Sequence, residues 1–279
     1  MRIFYATDLH GHRKKYEAVE RIAVREGVAA VVQGGDLLPH GSPLHRVQGE
    51  FLDEFLTPQI ERLAAAGIEF LGILGNDDLR ALDGRFEAAC ARANGAHAIA
   101  GRKVALGGFE FIGLDFVPDC PFRLKDRCRR DREGFVFPPQ NGRAVFSTAA
   151  GFREVMDWPA EAMGLPTIEE ELARLPVPED PARAVYVIHT PPSGLGLDLC
   201  AGGRSGRGLP VGSRAVYEFL RRVQPCMSLH GHIHESPDVG QVWSAPLGPT
   251  VCIQPGSREG LAGVLIDLQA RSAVLKYAG

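Results

Sequence analysis

The 279-residue sequence lacks any apolar stretch long enough to span a bilayer, and its N-terminus runs into a polar motif without the apolar core of a secretion signal. It also lacks a C-x-x-C pair among its six cysteines, which disfavours a zinc knuckle or a disulfide framework. A net charge of −3 excludes a strongly basic surface over the whole protein. These absences predict a cytoplasmic protein with reduced thiols and no membrane contact, and they make nucleic acid an unlikely partner.

The residues that are present are typical of a soluble globular protein, with 45% hydrophobic and 23% charged residues. Short apolar runs alternate with amphipathic stretches in the first half, which predicts an α/β fold with a largely parallel sheet. Nine of the 20 prolines lie within residues 118–182, where they discourage long helices and strands. We expect one domain over residues 1–279 with an insertion or cap at about 118–182.

Polar clusters follow three predicted strands, at residues 3–7, 29–33 and 68–74. The clusters are Asp8-Leu9-His10, Gly35-Asp36 and Gly75-Asn76-Asp77-Asp78. Two later predicted strands, at residues 184–188 and 226–229, run into His189 and into His230-Gly231-His232-Ile233-His234. Because open α/β sheets bind ligands outside the carboxyl ends of their strands, we expect these clusters to form one site. Helices are predicted at residues 14–25, 50–66 and 79–94, and further strands at 109–117, 250–253, 263–268 and 273–277.

The side chains in these clusters are candidate metal ligands. Asp8 and His10 are two positions apart, so an extended backbone would direct both to one cation. The two carboxylate oxygens of Asp36 could bridge two cations. The remaining candidates offer an amide oxygen or imidazole nitrogens, namely Asn76, His189, His232 and His234. Such donors suit two divalent ions of manganese, iron, zinc or nickel, which at about 3.5–4 Å apart would hold a hydroxide nucleophile between them.

The order of the motifs resembles the calcineurin-like metallophosphoesterase superfamily. The segments His189-Thr190-Pro191-Pro192, Gly212-Ser213 and Pro255-Gly256-Ser257 resemble its branch of small, mostly uncharacterised prokaryotic phosphoesterases. This resemblance implies a four-layer α/β/β/α sandwich and hydrolysis of a phosphodiester or phosphomonoester. It also implies two metal sites with a shared aspartate, one formed by Asp8, His10, Asp36 and His234 and the other by Asp36, Asn76, His189 and His232.

One position departs from the family pattern, in which a His usually follows the Asn of the third motif and is taken to protonate the leaving group or hold the phosphate. Here that position is Asp77. Three hypotheses follow: burial or Asp78 raises the pKa of Asp77 so that it acts as the acid, His12 supplies the proton, or the substrate needs no acid. Asn76 and the loop residues Arg204 and Arg207 are candidate contacts of the phosphate, although a plain flexible connection is the simpler interpretation of that loop.

The sequence leaves other functions open. The basic run at residues 123–132 is usually a solvated surface, but it could steer a phosphate-rich substrate or nucleic acid. A nuclease is therefore one alternative, and a non-catalytic protein-binding scaffold on the same fold is another. His40, His45 and His97 lie in no motif, so we expect surface or helix-flanking roles for them.

Overall fold

The computed structural model describes residues 1–202 and 208–278. Its strands, in chain order, are Arg2–Ala6 (β1), Ala30–Gly34 (β2), Glu69–Ile73 (β3), Ala96–Ala98 (β4), Lys103–Leu106 (β5), Phe109–Leu114 (β6), Val117–Pro118 (β7), Cys128–Arg129 (β8), Ala144–Thr148 (β9), Gly151–Val155 (β10), Ala184–Ile188 (β11), Leu199–Cys200 (β12), Leu209–Pro210 (β13), Met227–Leu229 (β14), Ser244–Leu247 (β15), Thr250–Ile253 (β16), Leu261–Asp267 (β17) and Ser272–Ala278 (β18). Its α-helices are Arg13–Glu26 (α1), Leu44–Phe51 (α2), Thr57–Ala65 (α3), Asp83–Arg92 (α4), Trp158–Met163 (α5), Ile168–Ala173 (α6), Arg214–Val223 (α7) and Ser236–Gly240 (α8).

The strands form two large mixed sheets. The first has the order β18-β17-β1-β2-β3-β4, in which β1 to β4 are parallel and β17 and β18 are antiparallel to their neighbours. The second has the order β15-β16-β14-β11-β6-β5, with four parallel central strands and an antiparallel strand at each edge. The prediction of a largely parallel sheet is therefore correct for the centres of both sheets and for the edge strand β4, and the antiparallel strands lie at the other three edges.

The two sheets pack face to face between helices. Tyr5, Val32 and Ile73 of the first sheet share a buried core with Phe111 and Val187 of the second. The outer face of the first sheet packs against α1 to α4, and that of the second against α6 and α7. This is the four-layer α/β/β/α sandwich that the family resemblance implies, so the predicted fold class is confirmed.

The helix predicted at residues 50–66 begins earlier and is not uniform. Helix α2 continues through a π-helical segment, Leu52–Leu56, into α3. The Thr57 hydroxyl donates to the Leu52 carbonyl at 2.7 Å, which satisfies a carbonyl at this irregular turn. The sequence pattern also missed α7, which begins after Ser213, whose hydroxyl accepts from the backbone N–H of Val216.

The proline-rich segment at residues 118–182 contains only short elements, β8, β9, β10, α5 and α6. It has a small apolar core of its own around Trp158, with Cys128, Val155 and Ala162. All six cysteines of the chain are free thiols. No helix in the described part of the chain is long and apolar enough to cross a membrane.

The middle of the charged run, residues 125–129, is buried, so the expectation of a solvated surface is wrong there, whereas Arg123 and Arg132 at its ends are exposed. Lys125 pairs with Asp119 at 2.7 Å, with both side chains fully buried. Arg127 pairs with Asp115 at 2.7 Å and with Asp83, and its Nη1 donates to the backbone carbonyl of Asp78 at 2.7 Å. The contacts of Arg127 connect the segment to the sandwich, whereas the Lys125 pair lies within the segment.

Candidate metal centre

Loops at the carboxyl ends of five strands meet at one edge of the sandwich. Asp8, Asp36 and Asn76 follow β1, β2 and β3, while His189 and His232 follow β11 and β14 of the other sheet. The His and Asp side chains of these loops form three groups, and within each group the ligand atoms lie within 4.8 Å of one another. The groups are Asp8-His10-Asp36-His234, Asp36-His189-His232 and His10-His40-Asp77. The structure thus brings all the predicted ligands of the two sheets to one place.

In the first group, imidazole nitrogens and carboxylates surround one point. The Nε2 atoms of His10 and His234 face each other at 3.0 Å. His234 Nε2 lies 3.4 Å from Asp8 Oδ1, and His10 Nε2 lies 4.0 Å from Asp36 Oδ2. Two imidazoles and two carboxylates that converge in this way form a donor set that first-row divalent ions prefer.

The second group shares Asp36 with the first. Asp36 Oδ2 lies 3.4 Å from His189 Nε2, and His189 Nε2 lies 3.1 Å from Asn76 Oδ1. The ring of His232 is 5.3 Å from that of His189, centroid to centroid. Because Asp36 Oδ2 is close to ligand atoms of both groups, its carboxylate is the one placed between them.

Several of these residues have left-handed backbone conformations. The φ angles are 54° at Asp8, 44° at His10, 51° at Asp36 and 71° at His232. Residues with side chains rarely adopt such values, and they occur most often at functional sites. The extended-backbone reason for placing Asp8 beside His10 is therefore wrong: β1 ends at Ala6, and the turn that follows brings the two side chains together.

Backbone hydrogen bonds hold the first two loops against each other. The N–H groups of Asp8, His10 and Gly11 donate to the carbonyls of Gly35, Asp36 and Leu37 at 3.0, 2.9 and 2.8 Å. This pairing continues the contact between β1 and β2 beyond the strand ends. It fixes the positions of the three candidate ligands in these loops relative to one another.

Asp78 ties the third loop to the second. Its buried carboxylate accepts from the backbone N–H groups of Gly75, Leu37 and Leu38 at 2.8, 2.9 and 2.7 Å. From the sequence, Asp78 was predicted only as a neighbour that could raise the pKa of Asp77. The position of this carboxylate, two residues after Asn76, was the only sign in the sequence of its role, because its hydrogen-bond partners are set by the tertiary fold.

Two glycines allow the ligands to approach the backbone closely. A Cβ atom at Gly75 would lie 2.2 Å from Asp36 Oδ1, and one at Gly231 would lie 2.4 Å from Asp8 Oδ2. Such distances are far below van der Waals contact. Glycine at these positions is thus required for the observed carboxylate positions.

Contacts behind the ligands orient them. His189 Nδ1 lies 2.8 Å from the carbonyl of Gly34, which directs Nε2 toward Asp36. Asp8 accepts from the Thr7 hydroxyl at 2.9 Å and from the His232 backbone N–H at 3.0 Å. Partners of this kind fix ring orientation and tautomer in metal sites.

The charges of the centre shift its pKa values in opposite directions. Burial opposes the charged form of His189, but the carboxylate of Asp36 outweighs it and raises the pKa of His189 to about 10. Burial likewise opposes protonation of His234, and its hydrogen bond and charge interaction with Asp8 raise the pKa to about 9. Burial dominates at His10 and His232, where it lowers each pKa to about 4. Burial favours neutral Asp36, yet His189 outweighs this and lowers the pKa of Asp36.

Asp77 lies at the rim of the centre. Burial, together with the charges of Asp36 and Asp78, raises its pKa to about 8. Its Oδ2 lies 3.5 Å from Nε2 of His40, a side chain that is 64% exposed and whose ring stacks on that of His10. Sequence reasoning placed His40 on the surface and missed this contact, because no motif surrounds it.

Three other predicted site residues, His12, Arg204 and Arg207, are not seen among the ligands of the centre. His12 is exposed just before α1, and its side chain makes no hydrogen bond or ion pair with residues 1–202 and 208–278. Arg204 and Arg207 lie outside the described residues.

The residues of the centre fit divalent metal ions, because oxygen and nitrogen donors converge without thiolate, and two of the imidazole nitrogens face each other. The sequence matches the family model for calcineurin-like phosphoesterases over residues 1–236. No significant match is found among proteins of curated function.

Two solved structures are similar in fold. The protein TT1561 of Thermus thermophilus aligns with a TM-score of 0.56 and 15% identity, covering 99% of this chain and 98% of that one. A dimetal phosphatase from Danio rerio aligns with a TM-score of 0.51 and 13% identity, covering 100% of this chain and 96% of that one. The matched family consists of phosphoesterases that use divalent metal ions, and this structure has clustered metal-binding side chains. The chain therefore belongs to the calcineurin-like phosphoesterase family.

Proposed function

We propose that the protein hydrolyses phosphate esters with two divalent metal ions. The observation that carries this proposal is the position of Asp36, whose Oδ2 lies 3.4 Å from His189 Nε2 of one group and 4.0 Å from His10 Nε2 of the other. The likeness in fold to the dimetal phosphatase from Danio rerio supports the same number of ions. The ions would be held, as in the family, by Asp8, His10, Asp36, Asn76, His189, His232 and His234.

When bound, the ions would supply the activated water nucleophile and the positive charge that in-line displacement at phosphorus requires. The side chain of Asn76 is already oriented for this task. Its Nδ2 donates to Asp77 Oδ1 at 2.9 Å, which leaves Oδ1 pointing to His189, on the side of the metal ligands. Asn76 would hold a metal ion and the adjacent phosphate.

Asp77 is the proposed proton donor to the leaving group. In the protein without metal ions, a pKa of about 8 keeps most of this carboxyl protonated at pH 7, whereas an ordinary carboxyl would be ionised. The exposed His40, 3.5 Å away, connects Asp77 to solvent and would restore its proton after each turnover. The geometry favours this pair over His12, whose exposed side chain makes no hydrogen bond or ion pair with the described residues of the centre.

A comparison of leaving groups tests the proton donor. With an alkyl phosphate, Asp77→Asn should lower kcat by about 100-fold and His40→Gln by less, because general acids typically contribute 10²–10⁴-fold. With an aryl phosphate bearing a good leaving group, both variants should keep nearly the wild-type rate. An unchanged rate for Asp77→Asn with the alkyl ester would exclude Asp77 as the acid.

The overall proposal is tested with bis-aryl and mono-aryl phosphates and manganese, nickel, zinc or iron added in turn. We expect metal-dependent hydrolysis and two bound ions per chain by elemental analysis. Asp36→Asn should abolish turnover, while the control Asp53→Asn on the surface should not. Full metal-dependent hydrolysis by Asp36→Asn would contradict the bridging role, and inactivity of the metal-loaded protein on all esters would favour the scaffold alternative.

The ion pairs of the basic run argue against the nuclease alternative. Lys125, Arg127 and Arg129 are buried, so they offer no path for a phosphate backbone. Salt-dependent binding of single-stranded DNA or RNA would reverse this conclusion. A cytoplasmic location and a single domain with an inserted segment remain parts of the proposal.

A further inference from the structure

A cleft of about 400 Å³ opens beside the metal centre, with Asp36, Asn76, Asp77, His232 and His234 at its base. Its walls are mainly apolar. The inserted segment contributes Pro118, Pro121, Phe122 and Pro138, and the chain around β13 contributes Leu209 and Val211. This volume is within the range of small-molecule sites.

Two large apolar side chains in these walls are unusually exposed. Phe122 is 57% exposed and Leu209 is 53% exposed. They come from segments far apart in the sequence and line the same cleft. An apolar group bound between them would remove both from water, which is favourable in proportion to the apolar area covered.

The carboxylates in the walls already have partners within the protein. Asp119 accepts from Lys125 Nζ at 2.7 Å and from Gln140 Nε2 at 2.9 Å. Glu235 accepts from the Cys200 thiol and from the Ala201 N–H, both at 3.0 Å. No lysine or arginine lines the cleft within residues 1–202 and 208–278. The described walls therefore present mainly apolar surface, and no cationic side chain, to a group that lies above the metal centre.

Resting on the proposed function, we infer that this cleft binds the organic group of the ester by apolar contact, so the preferred substrates are phosphate esters of apolar alcohols, aromatic ones above all. The cleft is lined both by the ligands that would hold the phosphate and by Phe122 and Leu209. A second phosphate in that space would lose hydration without gaining a cationic partner from the described part of these walls.

The test compares 3-phenylpropyl and 3-hydroxypropyl phosphates, whose leaving groups are both primary alcohols. With manganese-loaded enzyme, kcat/KM should be about 10- to 100-fold higher for the phenylpropyl ester, as expected for burial of a phenyl ring. Phe122→Ala should lower this ratio about 5- to 10-fold and leave kcat/KM for the hydroxypropyl ester within about twofold. The matched control is Phe152→Ala, an exposed phenylalanine of β10 that does not line the cleft.

Binding of the corresponding phosphonates, measured by calorimetry, separates this inference from the proposed function. Tighter binding of 3-phenylpropylphosphonate, weakened in Phe122→Ala, would uphold the inference even if neither ester were hydrolysed, in which case the proposed function alone would fail. Equal kcat/KM and equal affinity for the two groups, or a ratio unaffected by Phe122→Ala, would overturn the inference while hydrolysis still upheld the proposed function.

Discussion

Metal binding should release protons from this protein at neutral pH. In the protein without metal, the pKa values of His189 and His234 are about 10 and about 9, so both rings are protonated at pH 7 and pair with Asp36 and Asp8. A protonated imidazole has no lone pair for a cation. Each of the two ligand groups contains one of these rings, so each ion should displace one proton.

The magnitude follows from this count. With two protons released, the combined affinity for two ions should rise about 100-fold per pH unit at pH values below the lower of the two pKa values, near 9. The sign is fixed by the raised pKa values, because acid strengthens the ion pairs that compete with the cations. Well above pH 10, where both rings are neutral, the dependence should level off.

Titration calorimetry with manganese in buffers of different ionisation enthalpy measures the protons released. Asp77→Asn serves as the background, because the carboxyl of Asp77 also titrates near pH 8 and would respond to a nearby cation. In that background the two imidazoles should release about two protons at pH 7, and Asp78, whose pKa is raised to about 7 by burial and by the charge of Asp36, should add up to about half a proton. The added change His234→Gln should reduce the number by one. Heats that are the same in every buffer would refute the assignment of both imidazoles as protonated ligands.

Three further outcomes follow from the same structure. Arg127→Met should cost about 3 kcal/mol of unfolding free energy in chemical denaturation, because the partly buried carboxylate of Asp115 and that of Asp83 lose their buried partner, whereas Arg143→Met at an exposed ion pair should cost little. Gly231→Ala should weaken binding of at least one manganese ion about 10-fold or more by calorimetry, since its Cβ would displace the Asp8 carboxylate, while Gly84→Ala has open space and should bind normally. Without metal, the melting temperature should decrease as the pH rises from about 6.5 to about 10. The ion pairs of the two protonated histidines are complete below the pKa of histidine in the unfolded chain, about 6.5, and are lost above their raised pKa values in the folded protein.

The central strands were predictable because they are buried on both faces. The strand predicted at residues 184–188 coincides with β11, and the one at 250–253 with β16, since a continuous apolar run between turn residues has few other interpretations. The edge strands β4, β5 and β15 were missed because they are short and only partly apolar. Helix α7 did carry a signal, the Ser213 cap followed by apolar residues at helical spacing, but the preceding glycines obscured it.

The buried ion pairs of the inserted segment could not be predicted from composition. A run that alternates Arg and Lys with Asp is typical of an exposed surface, and only the three-dimensional fold places Asp115 and Asp83 around Arg127. The contact between His40 and Asp77 could not be predicted either, because it depends on the path of the loop after Asp36. Long-range polar pairs of this kind leave no periodic pattern in the sequence.

The order of the motifs predicted the candidate metal ligands correctly as one cluster, although the extended backbone expected at Asp8 and His10 was wrong. The hydrogen bonds between the loops explain this difference. Asp8 and His10 are positioned by backbone hydrogen bonds to the loop of Asp36, and that loop is bonded in turn to the carboxylate of Asp78. These hydrogen bonds join protein groups to one another. They offset the strain of the left-handed backbone at the ligands, which costs about 1–3 kcal/mol per residue. Because the three loops restrain one another, the chemistry depends on all three motifs being present together, and a prediction made from any one of them alone would fail.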